Sequence, residues 1–178
     1  MYLACDPASP LRQAEILSDV IQYVYDPATE ETVGKLHKYA VLASQECDLL
    51  RAHEANEKKE PVPINGLLLF TANDADVGRK EQKLNSNLWS PTRQNTNERY
   101  QVLQACDAAV DSLGAGFPSL LIDFRNFFSL TFEQLQYQIE HGPAQRRCYL
   151  VPPYRDHLQF RAANYLARVP LDPPHEVA

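Results

Sequence analysis

The sequence predicts an α+β domain: five or six antiparallel strands covered by two C-terminal helices. Three observations predict it. Apolar, β-branched and aromatic runs recur through residues 39–43, 64–70 and 119–130. Helical periodicity with capping signals is confined to the stretch after residue 130. Polar segments rich in Asn, Gly and Pro separate the runs. Strands first and helices last is the order of an α+β domain rather than an alternating α/β one.

Taken in order, residues 1–10 hold two prolines and small side chains and read as a loose N-terminal arm. Residues 11–25 fit two templates. Ile16, Leu17, Val20, Ile21 and Val24 suit a helical stripe, whereas the β-branched and aromatic content suits a strand; Asp26-Pro27 ends either one. Residues 35–45 read as a strand with a buried end, and residues 51–60, nearly all polar, as a solvated loop. Pro61 to Phe70 reads as a second strand, with Gly66 marking a bulge. Residues 73–99 form a long polar loop around Trp89, the sole tryptophan. Strands at Tyr100–Ala105 and Ser119–Leu130 flank a turn over Ser112–Pro118.

The two helices carry local signals. Thr131 with Gln134 makes a capping box, Phe132, Leu135 and Ile139 share a face, and Gly142-Pro143 stops the helix. After a short strand at Arg146–Val151, Pro152-Pro153 opens a helix whose stripe is Tyr154, Leu158, Ala162, Tyr165, Leu166 and Val169. Arg155, Gln159 and Arg161 point elsewhere, Pro170 ends the helix, and residues 171–178 read as a disordered tail. One domain over residues 11–170 accommodates all of this, since 178 residues with 44% hydrophobic content suffice for one core.

Composition excludes several classes. No apolar run of about eighteen residues exists, which argues against a membrane span. Met1 to Asp6 lacks a basic region followed by an apolar one, so the expected compartment is the cytoplasm. The four cysteines, Cys5, Cys47, Cys106 and Cys148, show no Cys-x-x-Cys spacing, so neither a disulfide framework nor a metal site is expected; Cys106 and Cys148 read as buried small apolar residues. A net charge of −6 disfavours nucleic acid as a partner. No glycine-rich phosphate loop, Gly-x-Ser-x-Gly or His-Glu-x-x-His is present, and no cofactor is expected.

The candidate site is where an apolar run, Tyr39 to Ala43, stops at Ser44-Gln45-Glu46-Cys47-Asp48. A buried strand there would deliver a thiol, a carboxylate, a hydroxyl and an amide to one spot. Cys47 with Asp48 is the catalytic candidate, with His53 or Arg51 reaching back, although Glu46 and Asp48 oppose thiolate formation. Ser44 and Gln45 are candidate binding groups. A polar cluster of Arg93, Gln94, Asn95, Asn97, Glu98, Arg99 and Tyr100 beside Trp89 has the chemistry to bind an anion or a base, and reads equally as a solvated loop with Trp89 folded onto the core. Asp123 and Arg125, two apart on a strand, suggest an ion pair on one face. His157 and Arg161, four apart, suggest a helix-surface pair, while His37 and His141 stand alone.

Two resemblances add to this. Arg12-Gln13-Ala14-Glu15-Ile16-Leu17, followed by Tyr39 to Gln45, resembles the opening strands of MazF/PemK-type toxins, which are small SH3-like β-barrels. That resemblance implies that the strands are strongly bent into an SH3-like antiparallel barrel. It also implies an endoribonuclease, with Arg12 and Ser44 the nearest counterparts of the catalytic Arg and hydroxyl. Ser44-Gln45-x-Cys47-Asp48, Asn97-Glu98-Arg99-Tyr100 and Pro153-Tyr154-Arg155-Asp156-His157-Leu158 through Arg168-Val169 are similar to a set of uncharacterised bacterial proteins. They imply a bacterial cytoplasmic protein with a barrel-plus-helices fold, in which residues 11–25 are strand. The expectation is therefore a non-catalytic binding or regulatory module of a defence, toxin–antitoxin or signalling operon, with a protein partner or a second copy of itself. A toxin-type endoribonuclease and a cysteine-dependent enzyme using Cys47 are the alternatives.

Overall fold

The computed structural model describes residues 1–167 of the chain. Its elements are β1 (Tyr2–Ala4), β2 (Glu15–Asp26), β3 (Glu31–Leu42), α1 (Glu46–Lys58), β4 (Leu67–Asp74), α2 (Ala75–Glu81), α3 (Ser86–Arg93), β5 (Tyr100–Leu103), β6 (Leu120–Leu130), α4 (Phe132–His141), β7 (Gln145–Leu150) and α5 (Tyr154–Leu166). The seven strands form one antiparallel sheet in the order β1-β7-β2-β3-β4-β6-β5. The α+β class stands, but the barrel does not: β1 and β5 are the two ends of an open sheet. Closure would require pairing β1, only three residues long, with β5, whose Val102 N–H, Val102 carbonyl and Tyr100 carbonyl are already bonded to side chains.

Strand alternation sends side chains to two faces. One face, with Ile16, Val41, Phe70, Ile122, Phe124 and Cys148, is covered by Leu158 and Ala162 of α5 and by the 104–118 segment through Cys106 and Phe117. The other, with Leu17, Ala40, Leu42, Leu69 and Phe128, receives Leu49 and Ala52 of α1 and Phe132 and Leu135 of α4. A smaller cluster of Ala75, Leu84, Tyr100 and Leu121, with Trp89 against it, seats α2 and α3 beside β5 and β6.

Several expectations shift. The segment 11–25 is strand, in an unusually long hairpin with β3. The N-terminal arm is partly sheet, since β1 pairs with β7 and buries Tyr2 and Cys5. The solvated loop at 51–60 is mostly α1, whose buried side is only Leu49, Ala52 and Ala55. The second strand begins at Leu67 rather than Pro61, and its irregularity lies between Phe70 and Ala72 rather than at Gly66. The polar loop at 73–99 is two short helices, capped by Asp74 and Asn85. The capping box of Thr131 and Gln134 forms as expected, with Thr131 Oγ1 accepting from Gln134 N at 3.1 Å and Gln134 Oε1 from Thr131 N at 3.0 Å. On α5 the buried stripe is Leu158 and Ala162, with Tyr165 against the core, while Tyr154 and Leu166 stay about half exposed. Val169, Pro170 and the tail 171–178 lie outside the described residues.

Two ion pairs are nearly dry. Arg146 meets the fully buried Glu15 at 2.5 and 2.9 Å and donates to the carbonyls of Asp6, Pro7, Ser9 and Pro10, which ties the N-terminal segment to β7. Arg147 is bidentate to Asp111 at 2.8 and 2.7 Å and donates to the Gly116 carbonyl. Burial penalises the Arg146 charge, and Glu15 more than offsets it, raising the proton affinity. For Arg147 the Asp111 bonds dominate and act in the same direction.

Candidate functional site

The end of β3 is tied down rather than open. Ser44 Oγ accepts from Leu68 N at 2.9 Å, and Ala43 N donates to Leu68 O at 2.8 Å, so both serve the β3–β4 exit. Gln45 is the N-cap residue of α1 but makes no capping bond. Glu46 accepts from Gln13 N at 2.8 Å and pairs with Arg12 at 3.4 Å; Arg12 also lies over the Tyr149 ring. Arg12 thus joins the segment before β2 to α1.

Cys47 is exposed on the first turn of α1. The groups nearest its Sγ are acceptors, Gln45 Oε1 at 3.7 Å and Asp48 Oδ1 at 3.8 Å. His53, expected to reach back to the thiol, pairs instead with Glu57 at 3.5 Å. The thiol, carboxylate, hydroxyl and amide are neighbours in the chain, and none of them lines a described cavity. Cys106 and Cys148 are buried as expected, with their sulfurs 3.8 Å apart.

The second group of candidates sits elsewhere, and no described cavity is lined by members of both groups. Arg99 is bidentate to Asp123, Nε to Oδ1 at 2.9 Å and Nη2 to Oδ2 at 2.5 Å, donates to Gln82, and lies over the Tyr100 ring. Its proton affinity rises because of the Asp123 bonds. The expected Asp123–Arg125 pair is replaced by this one. From Arg125, Asp123 accepts the main-chain N–H alone, and the Arg125 side chain is exposed. Trp89 packs on the cluster beneath α3 with Arg79 over its ring, and Arg93 lines shallow clefts beside it.

Sequence reasoning missed the groove between β5 and α5. As the last strand of the sheet, β5 has outward main-chain groups, and three of them have side-chain partners. Val102 N donates to Asn95 Oδ1 at 2.6 Å, Asn95 Nδ2 donates to Val102 O at 3.0 Å, and Arg161 Nη2 donates to Tyr100 O at 2.7 Å and Asn97 O at 2.6 Å. The expected His157–Arg161 surface pair is absent, because Arg161 turns inward to the strand. A cleft of about 450 Å³ lies against this edge, lined by Gln94, Gln101, Gln104, His157, Phe160 and Arg161 among others. Arg161 also lines an adjoining cleft of about 470 Å³. Gln101 Oε1 and Arg161 Nε are buried and lack hydrogen-bond partners among the described residues.

The hairpin provides the other unusual surface. β2 pairs with β7 only through Glu15–Ser18, and β3 with β4 only through Tyr39–Leu42, so the remainder runs outward as a two-stranded ribbon. Its base is packed: His37 stacks on Phe128 at 4.0 Å, with Thr71 on Nδ1 and Gln22 on Nε2. Its outer part is not. On one face the cross-strand pairs Ile21–Leu36, Tyr23–Gly34 and Tyr25–Thr32 carry Leu36 at 60%, Tyr23 at 57% and Tyr25 at 59% exposure.

Comparison with protein-family models, with curated proteins and with solved structures finds no match. No helix among the described residues is long and apolar enough to cross a membrane.

Proposed function

We propose that this chain is a non-catalytic binding module that works through protein–protein association, docking the outer face of its β2–β3 ribbon onto a second copy of itself. The single observation that carries this reading is the exposed row of Tyr23, Tyr25 and Leu36 on one face of a ribbon with no further strand partner. A two-stranded ribbon is marginal alone, and contiguous exposed apolar surface of this kind marks contact sites. A second copy is favoured by charge. The six residues of that face, Ile21, Tyr23, Tyr25, Thr32, Gly34 and Leu36, carry none, in a chain of net charge −6 whose other surfaces repel their own kind. The pairing of His53 with Glu57, rather than with the Cys47 thiol, supports the non-catalytic part.

Sedimentation velocity over a concentration series tests the proposal. The wild type is expected to shift towards a dimer as concentration rises. The triple variant Tyr23→Ser, Tyr25→Ser, Leu36→Thr should remain monomeric with an unchanged circular dichroism spectrum. A wild-type protein that stays monomeric throughout the series would overturn the reading.

A further inference from the structure

The groove beside β5 holds a cation that forms no ion pair among the described residues, although Glu98 lines the adjoining cleft. Arg161 is half-buried and its guanidinium donates to two main-chain carbonyls, but no carboxylate of the described residues pairs with it, and its Nε–H has no partner. Buried charges are ordinarily paired, and a donor kept from water without a partner is costly. In an acidic chain, the 450 Å³ cleft against Arg161 has no acidic residue in its lining. Carboxamides (Gln94, Asn95, Gln101, Gln104), His157 and the exposed ring of Phe160 supply it instead. Gln101 adds an acceptor, its Oε1, which is buried and unpartnered. The cleft therefore offers a fixed positive charge, an unused donor, an unused acceptor and an aromatic wall.

We infer that this cleft is a binding site for a small organic anion: a phosphate ester or carboxylate whose charged oxygen meets Arg161 Nε, whose hydrogen-bond donor meets Gln101 Oε1, and whose planar body lies against Phe160. The two unpartnered atoms set the polarity at each end of the ligand. The carbonyls of Asn97 and Tyr100 hold the guanidinium in place before the anion arrives, so little side-chain ordering is left for binding. The burial that leaves Arg161 with a lowered proton affinity, opposite to the arginines that have carboxylate partners, fits a site whose counter-ion comes from outside. The ribbon face that would make the dimer plays no part, so this inference stands or falls separately from that one.

Phenyl phosphate, benzoate and neutral benzamide serve as probes, titrated at millimolar concentration while the Arg161 Nε–H and Gln101 side-chain amide resonances are followed by ¹⁵N NMR. Phenyl phosphate, benzoate or both should move the Arg161 Nε–H signal saturably, and benzamide should leave it in place; which anion binds tighter tells ester from carboxylate. Arg161→Met should weaken the winning anion by roughly 10- to 100-fold, as expected for a hydrogen bond to a charged group. Because that change also frees two carbonyls, Gln101→Leu is the second variant. It should keep the fold and the Arg161 signal while losing affinity for probes that carry a donor, with salicylate as the donor-bearing form of benzoate. An Arg161 Nε–H that ignores both anions, or that responds equally to benzamide, would overturn the inference.

Discussion

On the β7 side of the sheet, Arg146 and Arg147 each meet a buried carboxylate and go on to bond carbonyls; on the β5 side, Arg161 meets carbonyls alone. The same residue type does different work in the two places. Glu15–Arg146 and Asp111–Arg147 lock the N-terminal segment and the 111–116 turn to the sheet, and neither borders a described cavity. Arg161 borders two. A buried arginine whose charge is answered within the chain is a fastener, and one whose charge is left open at a cleft has capacity for something from outside.

The largest effect expected from breaking this comparison is at Asp111. Asp111→Asn leaves the Arg147 guanidinium buried without a counter-charge, and the loss in unfolding free energy should be about 3–5 kcal/mol. Arg161→Met should be milder, about 1–2 kcal/mol, because the desolvation of an uncompensated charge disappears together with two hydrogen bonds. Urea unfolding of both variants checks the ranking, and equal losses would remove the distinction between the two sites. The Asp111 contribution also has its own pH window. The Arg147 bonds hold the Asp111 carboxyl below its ordinary 3.8, so its share of stability is complete above that value and fades as pH falls beneath it.

A smaller effect, in a different window, belongs to His37 at the base of the ribbon. Burial, with Lys35 adding to it, lowers the His37 pKa from 6.5 to about 4. The folded chain therefore binds fewer protons here than the unfolded one, and stability should be complete above pH 6.5 and decline as pH falls towards 4. Stability measured against pH should show that slope in the wild type and lose it in His37→Gln. If the slope persists in the variant, the proton is going elsewhere. Both contributions fade on acidification and differ in place and window: the histidine's decline begins below pH 6.5, the carboxylate's only below 3.8.

How far the sequence foretold the two sides follows from how local each signal is. The Thr131 capping box lies within four residues, and β6 is a run of Leu, Ile and Phe, so both were legible. α1 was not, because its buried side is three small or medium residues in an otherwise charged stretch. α2 and α3 did carry cap signals at Asp74 and Asn85, masked by the polar composition around them. What occupies the β5 edge was not legible either, because Arg161 reaches carbonyls 61 and 64 residues away. The strand end near residue 44 was located to within about two residues, but the partners there were not legible: Ser44 and Glu46 bond residues far along the chain that a local reading does not see.

The smallest expected effect concerns the carboxamides that finish the sheet where strand partners run out, one on each side. On β5 the Asn95 amide brackets Val102; on β2, just past the last residue paired with β7, Gln138 brackets Ile21, with Ile21 N donating to Gln138 Oε1 and Gln138 Nε2 donating to Ile21 O, both at 2.8 Å. A side-chain amide carries the same donor and acceptor as a peptide group, so each stands in for one missing strand residue. Replacing either by alanine should cost about 1–2 kcal/mol, the cost of leaving a half-buried main-chain group without its partner. Hydrogen exchange reads the effect locally: Val102 N–H should lose protection in Asn95→Ala and Ile21 N–H in Gln138→Ala, each leaving the other amide slow. Asn95 also lines the Arg161 cleft, whereas Gln138 lies beside the ribbon base. Anion titration of the two variants therefore separates edge from site, because a weakened Arg161 response is expected in Asn95→Ala alone.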